Sequence, residues 1–126
     1  MKLSSIAKLQ SGQISAAEYS AEIAIELAIH SHGLELQGGV APVRVTEDTD
    51  LLVDRAVLGT LCRLFASGQL TAQELAYTVD ALQMADRVQF SGQDIATDIA
   101  ECTDPEINGP LTVARALEIA GVGTAA

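Results

Sequence analysis

Ser67-Gly68-Gln69-Leu70-Thr71-Ala72-Gln73-Glu74 spells a helix end, a turn and a helix start in eight residues. Glycine supplies the left-handed backbone that commonly closes an α-helix. Leu70 then drops toward a core. Thr71 caps the next helix with its hydroxyl, and Glu74, three residues on, reaches back to the cap's own N–H. Each such cap contributes about 1 kcal/mol. The pattern also stands at Ser11-Gly12-Gln13-Ile14-Ser15-Ala16-Ala17-Glu18, 56 residues earlier (67 minus 11). Apolar residues at helical spacing precede each copy: Ile6 and Leu9, then Leu61, Leu64 and Phe65. The spacing predicts two helical hairpins, over 3–30 and 49–87.

In the first hairpin, Tyr19, Ile23 and Leu27 share one helix face, while Glu18, Glu22, Glu26 and His30 run down another at intervals of four. In the second, Asp48 and Asp50 suit the positive end of a helix. Leu51 to Phe65 is apolar around most of its circumference, which predicts a central, buried helix over 49–66. Leu75, Val79 and Leu82 mark the inner face of the next helix. Ile95, Ile99 and Cys102 predict a short amphipathic helix, Thr103-Asp104-Pro105-Glu106 a further helix start, and Leu111, Ala114 and Leu117 a last helix ending at Gly121. Residues 33–46 depart from this periodicity. Leu34 to Gln37 and Val43 to Val45 alternate around Gly38-Gly39, which gives a short β-hairpin or an extended loop, with Pro42 confining any strand to an edge. The fold expected is mainly α, one helical domain of five to six helices over 1–121 with a flexible tail at 122–126.

The chain has 126 residues, seven Lys and Arg against seventeen Asp and Glu, and a net charge of −10. With 48% hydrophobic and 19% charged residues it should fold. The charge disfavours nucleic acid and anionic membrane, which need a positive surface. No Trp is present, and 3% aromatic content offers little for stacking on bases. Lys8 interrupts any apolar leader, and no uncharged run approaches the ~20 residues of a membrane span. Cys62 and Cys102 sit in apolar helical patterns without metal-ligand spacing, so they are expected to be buried, reduced thiols in the cytoplasm.

Gly12–Glu18 and Gly68–Glu74 resemble the second half of an EF-hand loop. The first and third ligand positions would then be Ala7 and Leu9, or Arg63 and Phe65, which bring no side-chain oxygen. Capping explains the pattern without calcium. Glu26 and His30, four apart on a helix, could face one metal ion, with His32 and Glu35 nearby. The alternative is a pair of exposed histidines at a helix end, where imidazolium suits the dipole. Walker, GxGxxG and GxSxG motifs are absent. No catalytic residue and no cofactor are expected.

These features favour a non-enzymatic, acidic protein-binding module, such as an immunity or inhibitor protein or a secretion chaperone, with a basic protein as partner. An acidic face speeds encounter with a basic target and orients it. The candidate partner-binding residues are Glu18, Glu22, Glu26, Glu47, Asp48 and Asp50. The alternative is a structural or assembly subunit that forms homo-oligomers through an apolar helix. A metal-dependent protein using His30 and His32 is the third reading.

Overall fold

The computed structural model describes residues 1–35, 41–103 and 109–121. Six helices and two short strands follow one another within them: α1 (Leu3–Ser11), α2 (Ala16–Glu35), β1 (Leu51–Val53), α3 (Arg55–Ala66), α4 (Ala72–Met84), β2 (Val88–Phe90), α5 (Ile95–Glu101) and α6 (Val113–Gly121). The protein is mainly helical, with both hairpins in place.

The two turns form by the same chemistry. Gly12 and Gly68 both have φ +79°, and a Cβ at either would meet nothing within 4 Å. The demand for glycine is therefore conformational, not steric crowding by neighbours. Gln13 N–H donates to the Lys8 carbonyl at 2.8 Å and Gln69 N–H to the Leu64 carbonyl at 2.9 Å. Both capping boxes close. Glu18 N–H donates to Ser15 Oγ and Ser15 N–H to Glu18 Oε1, each at 3.1 Å. Glu74 N–H donates to Thr71 Oγ1 at 3.1 Å and Thr71 N–H to Glu74 Oε1 at 2.8 Å.

The buried residues of the helices and strands join into one hydrophobic cluster. α3 lies at its centre, packed on α1, α4, α6 and β1. The α3–α6 contact is the most extensive. Gly59 faces Ala120 there, and a Cβ at Gly59 would lie at ordinary van der Waals distance, 3.5 Å, from the Ala120 carbonyl. The two hairpins are joined across the core by Tyr19 and Thr78, whose hydroxyls lie 2.6 Å apart and fully buried. Burial pushes the Tyr19 phenol above its ordinary range. Arg55, first residue of α3, donates to the buried Asp98 of α5 at 2.7 Å and to the Ile119 carbonyl of α6 at 3.2 Å. Arg115 of α6 completes this tie with a two-pronged bond to Glu101 at 2.7 and 2.8 Å.

Several expectations are corrected. The stretch 49–54 does not begin a helix. Leu51–Val53 is a strand, paired in parallel with Val88–Phe90 in the register Leu51 to Val88, Leu52 to Gln89 and Val53 to Phe90. The helix cap is Asp54, whose carboxylate accepts from Val57 N–H at 3.0 Å. The fold is thus not wholly α: a crossover runs from β1 through α3 and α4 to β2. A β-hairpin over 33–46 is not seen among the described residues. α2 runs through Gly33 to Glu35, and 43–45 forms no strand. A glycine inside a helix costs only about 1 kcal/mol, and here Gly33 is buried. Thr46 instead pairs with Lys2 in a single parallel bridge. In α6 the inner face is Ala116, Ile119 and Ala120, and Leu117 is exposed. Gly38-Gly39, the helix start at Thr103 to Glu106 beyond Thr103 itself, and the tail at 122–126 lie outside the described residues. No helix among the described residues is long and apolar enough to cross a membrane.

Candidate functional site

Of the six acidic residues singled out as a docking surface, Glu22, Glu26 and Asp48 converge on residues 1–5, and Glu47 and Asp50 meet at Arg87. Each accepts a hydrogen bond from within the chain. Glu18 closes the first capping box. Glu22 accepts from the Ser5 hydroxyl, and Glu26 from the Met1 amino group. Asp48 accepts from Ser4 N–H at 3.0 Å and from the Ser4 hydroxyl. Glu47 accepts from Arg87 N–H, and Asp50 from Arg87 Nε, both at 2.7 Å. Hydrogen bonds from Ser4 hold the Asp48 carboxyl below its usual range, and the bond from Arg87 with its charge does the same for Asp50. Glu18 and Glu22 lie exposed at the N-terminal half of α2; Asp48 and Asp50 lie exposed where the chain enters β1.

His30 serves the fold. His30 Nδ1 is 3.1 Å from the Pro42 carbonyl, and its ring stands edge-on to Tyr77 at 5.1 Å between centroids. The Tyr77 hydroxyl accepts from Arg44 N–H at 3.0 Å. Together they moor residues 42–44 onto α2 and α4. His32 is exposed. Glu26 is engaged with the Met1 amino group. Among the described residues no group of three His, Cys, Asp or Glu is placed to hold a metal.

Cys62 and Cys102, forty residues apart, meet in the core with their sulfurs at 3.8 Å, as free thiols. Their contact with each other, with burial, pushes the Cys102 thiol well above its usual range. Cys102 also lines a cavity of about 210 Å³, whose walls include Leu27, His30, Leu34, Phe65 and Tyr77. The walls are largely apolar. The polar groups nearest to a chemical role, His30 and Tyr77, are spent on residues 42–44.

A different surface stands out. Ile25, in the middle of the 20-residue α2, is 79% exposed, and Ile29 is 42% exposed. Ala17, Ala21, Ala24 and Ala28 are exposed beside them. At about 100° per residue, Glu18, Ala21, Ile25, Ala28 and His32 form one stripe, with Glu22 and Ile29 along its edge. This stripe points away from Ala16, Tyr19 and Ile23, which are buried. Beside its inner face and its acidic face, α2 therefore carries a third. The signal was present, since Ile25 and Ile29 repeat at an interval of four out of phase with Tyr19, Ile23 and Leu27. Leu34, also exposed, belongs to the cavity side.

No protein-family model matches the chain, and neither the curated proteins nor the solved structures gave a match.

Proposed function

We propose that the protein is a non-enzymatic protein-binding module, of the class that includes immunity or inhibitor proteins and secretion chaperones, and that it docks through the outer face of α2. The observation that carries this reading is the exposure of Ile25 at the centre of the longest helix. A fully buried isoleucine gains roughly 1.5–3 kcal/mol over an exposed one. Here that gain is left for a partner to collect. Exposed apolar surface rimmed by polar residues is the usual mark of a protein contact, and an apolar helix face fits a helix or groove of another chain. Glu18 and Glu22 at the rim, with a net charge of −10, favour a basic client among foreign proteins. The six-acid surface is not needed for this, since its carboxylates already cap, tether or pair within the fold.

The test compares co-purification from the source cells by the native protein, by Ile25→Asp and by Leu52→Asp, the last exposed on β1. A stoichiometric protein kept by the native chain and by Leu52→Asp but lost with Ile25→Asp is the expected result. Equal retention by all three would overturn docking through α2. A basic client should also be released as salt is raised, because screening shortens the reach of its attraction to the acidic rim.

A further inference from the structure

We infer that the occupant of the outer face of α2 is a second copy of this chain, lying antiparallel across a twofold axis at Ile25. The inference rests on the docking face proposed above and takes a second copy in place of a foreign client, so that the stoichiometric protein retained through Ile25 is this chain itself. Its warrant is the order of residues along the stripe. With two copies related by a twofold through Ile25, that residue meets its own counterpart. Ala21 then faces the second copy's Ile29, Glu22 faces the second copy's Ala28, and Glu18 faces the second copy's His32.

Three features follow from this register. Each exposed Ile29 meets an alanine, so large packs against small and the helix axes can approach. The two ends close by carboxylate to imidazole, with both Glu18 and His32 exposed and reachable. Glu18 accepts only one hydrogen bond from Ser15, and a carboxylate has room for more. A parallel pair would instead set Glu18 against Glu18 and Glu22 against Glu22. The antiparallel pair separates the two Glu18 residues by 14 helical positions, about 21 Å at 1.5 Å per residue. That exceeds the ~8 Å screening length at physiological salt. The helix dipoles then oppose as well, which parallel packing would not allow.

The contact is one helix wide, so the dimer should be weak. Salt separates this occupant from a basic client. Two copies each carrying −10 repel at long range, so screening should hold or tighten the dimer while it loosens a basic complex.

The experiment is sedimentation of the full chain from about 1 to 500 µM, at about 50 mM and 500 mM NaCl, spanning Debye lengths from well over 10 Å to about 4 Å. The expected result is a monomer–dimer equilibrium that is no weaker at high salt, and at least tenfold weaker for Ile25→Glu. A register test accompanies it. Ile25→Cys should form a disulfide-linked dimer under oxidised glutathione, because position 25 meets itself; Leu52→Cys should not. The native cysteines are buried and serve both variants as the same background. A chain that stays monomeric throughout, a dimer indifferent to Ile25→Glu, or equal cross-linking at 25 and 52 would each overturn the inference. A monomer that still captures a foreign protein in an Ile25-dependent way would overturn only the second copy as occupant and leave the docking face standing.

Discussion

The two helical hairpins share a turn and differ in what their second helices face. Counted from Gly12 and Gly68, position 25 of α2 corresponds to position 81 of α4. Ile25 is 79% exposed, whereas Ala81 is 0% exposed. One turn earlier, Ala21 is exposed where Tyr77 is buried. The larger side chain therefore sits outside in the first hairpin and inside in the second. Turn chemistry is local and repeats faithfully. The far side of each helix depends on what covers it, and α4 is covered while α2 is not. The isoleucine at the uncovered position, 79% exposed, is the ground for taking α2 as the docking element.

The largest expected contrast lies at the residue between glycine and cap. Leu70 is fully buried and Ile14 only half-buried. Leu70→Ala should lose about 3 kcal/mol, in the range for buried leucines, and Ile14→Ala about 1 kcal/mol. Denaturant unfolding of both variants measures this. Equal losses would mean that the two hairpins contribute alike to the core.

Next comes the exchange at the paired positions 25 and 81. Ala81→Ile should overpack the contact around α4 and cost about 2 kcal/mol. Ile25→Ala should stay within about 0.5 kcal/mol in dilute solution, as expected of an exposed site away from packing. A large loss on Ile25→Ala in a monomeric sample would show that Ile25 supports its own fold and would remove the basis for the docking face.

The glycines test the similarity in place of the difference. Gly12→Val and Gly68→Val should each cost about 1–2 kcal/mol, the penalty of a left-handed conformation for an L-residue. Neither has a neighbour within 4 Å of the new Cβ, so the two values should agree. Unequal melting shifts would expose a role for one turn beyond backbone conformation.

The same division between local and long-range causes explains what could be read in advance. Caps and glycine turns were legible because the signal and its effect lie within eight residues. The strands were not. Leu51-Leu52-Val53 and Val88-Gln89-Phe90 are too short for alternation to register, and the first runs straight into an apolar helix, so helical periodicity absorbed it. Their pairing spans two helices and leaves no local trace. In α6, Leu117 outweighs Ala116 and Ala120 in hydrophobicity, so hydrophobicity alone does not mark the face that packs on α3. Charge is visible in the sequence, whereas the groups that hold these carboxylates, such as Ser4 and Ser5, are not. The outer face of α2 was written in the sequence at helical spacing, but exposure is a property of the neighbours, so Ile25 could not be told from a core residue.

The smallest expected effect comes from Asp48 and Asp50, two residues apart, each of which holds one hairpin. Asp48 holds the first through Ser4, and Asp50 the second through Arg87. Both carboxyls are lowered in the native protein. Between the native and unfolded values the unfolded chain binds more protons, so stability rises with pH there. The contribution is fully present above about pH 4, the ordinary aspartate value, and is lost as pH falls through the lowered native value. Acid therefore weakens both ties in the same direction, and pH alone cannot separate them. Ionic strength can. The Asp50–Arg87 tie is an exposed ion pair, screened within about 3 Å at 1 M salt. The Asp48–Ser4 tie joins a carboxylate to an amide and a hydroxyl, with Lys2 adding only a minor attraction. At neutral pH, Asp50→Ala should differ from the native protein in low salt and converge with it as NaCl approaches about 1 M. Asp48→Ala should keep most of its deficit. Melting curves of the two variants at both salts measure this, and parallel convergence would show that both ties depend on charge.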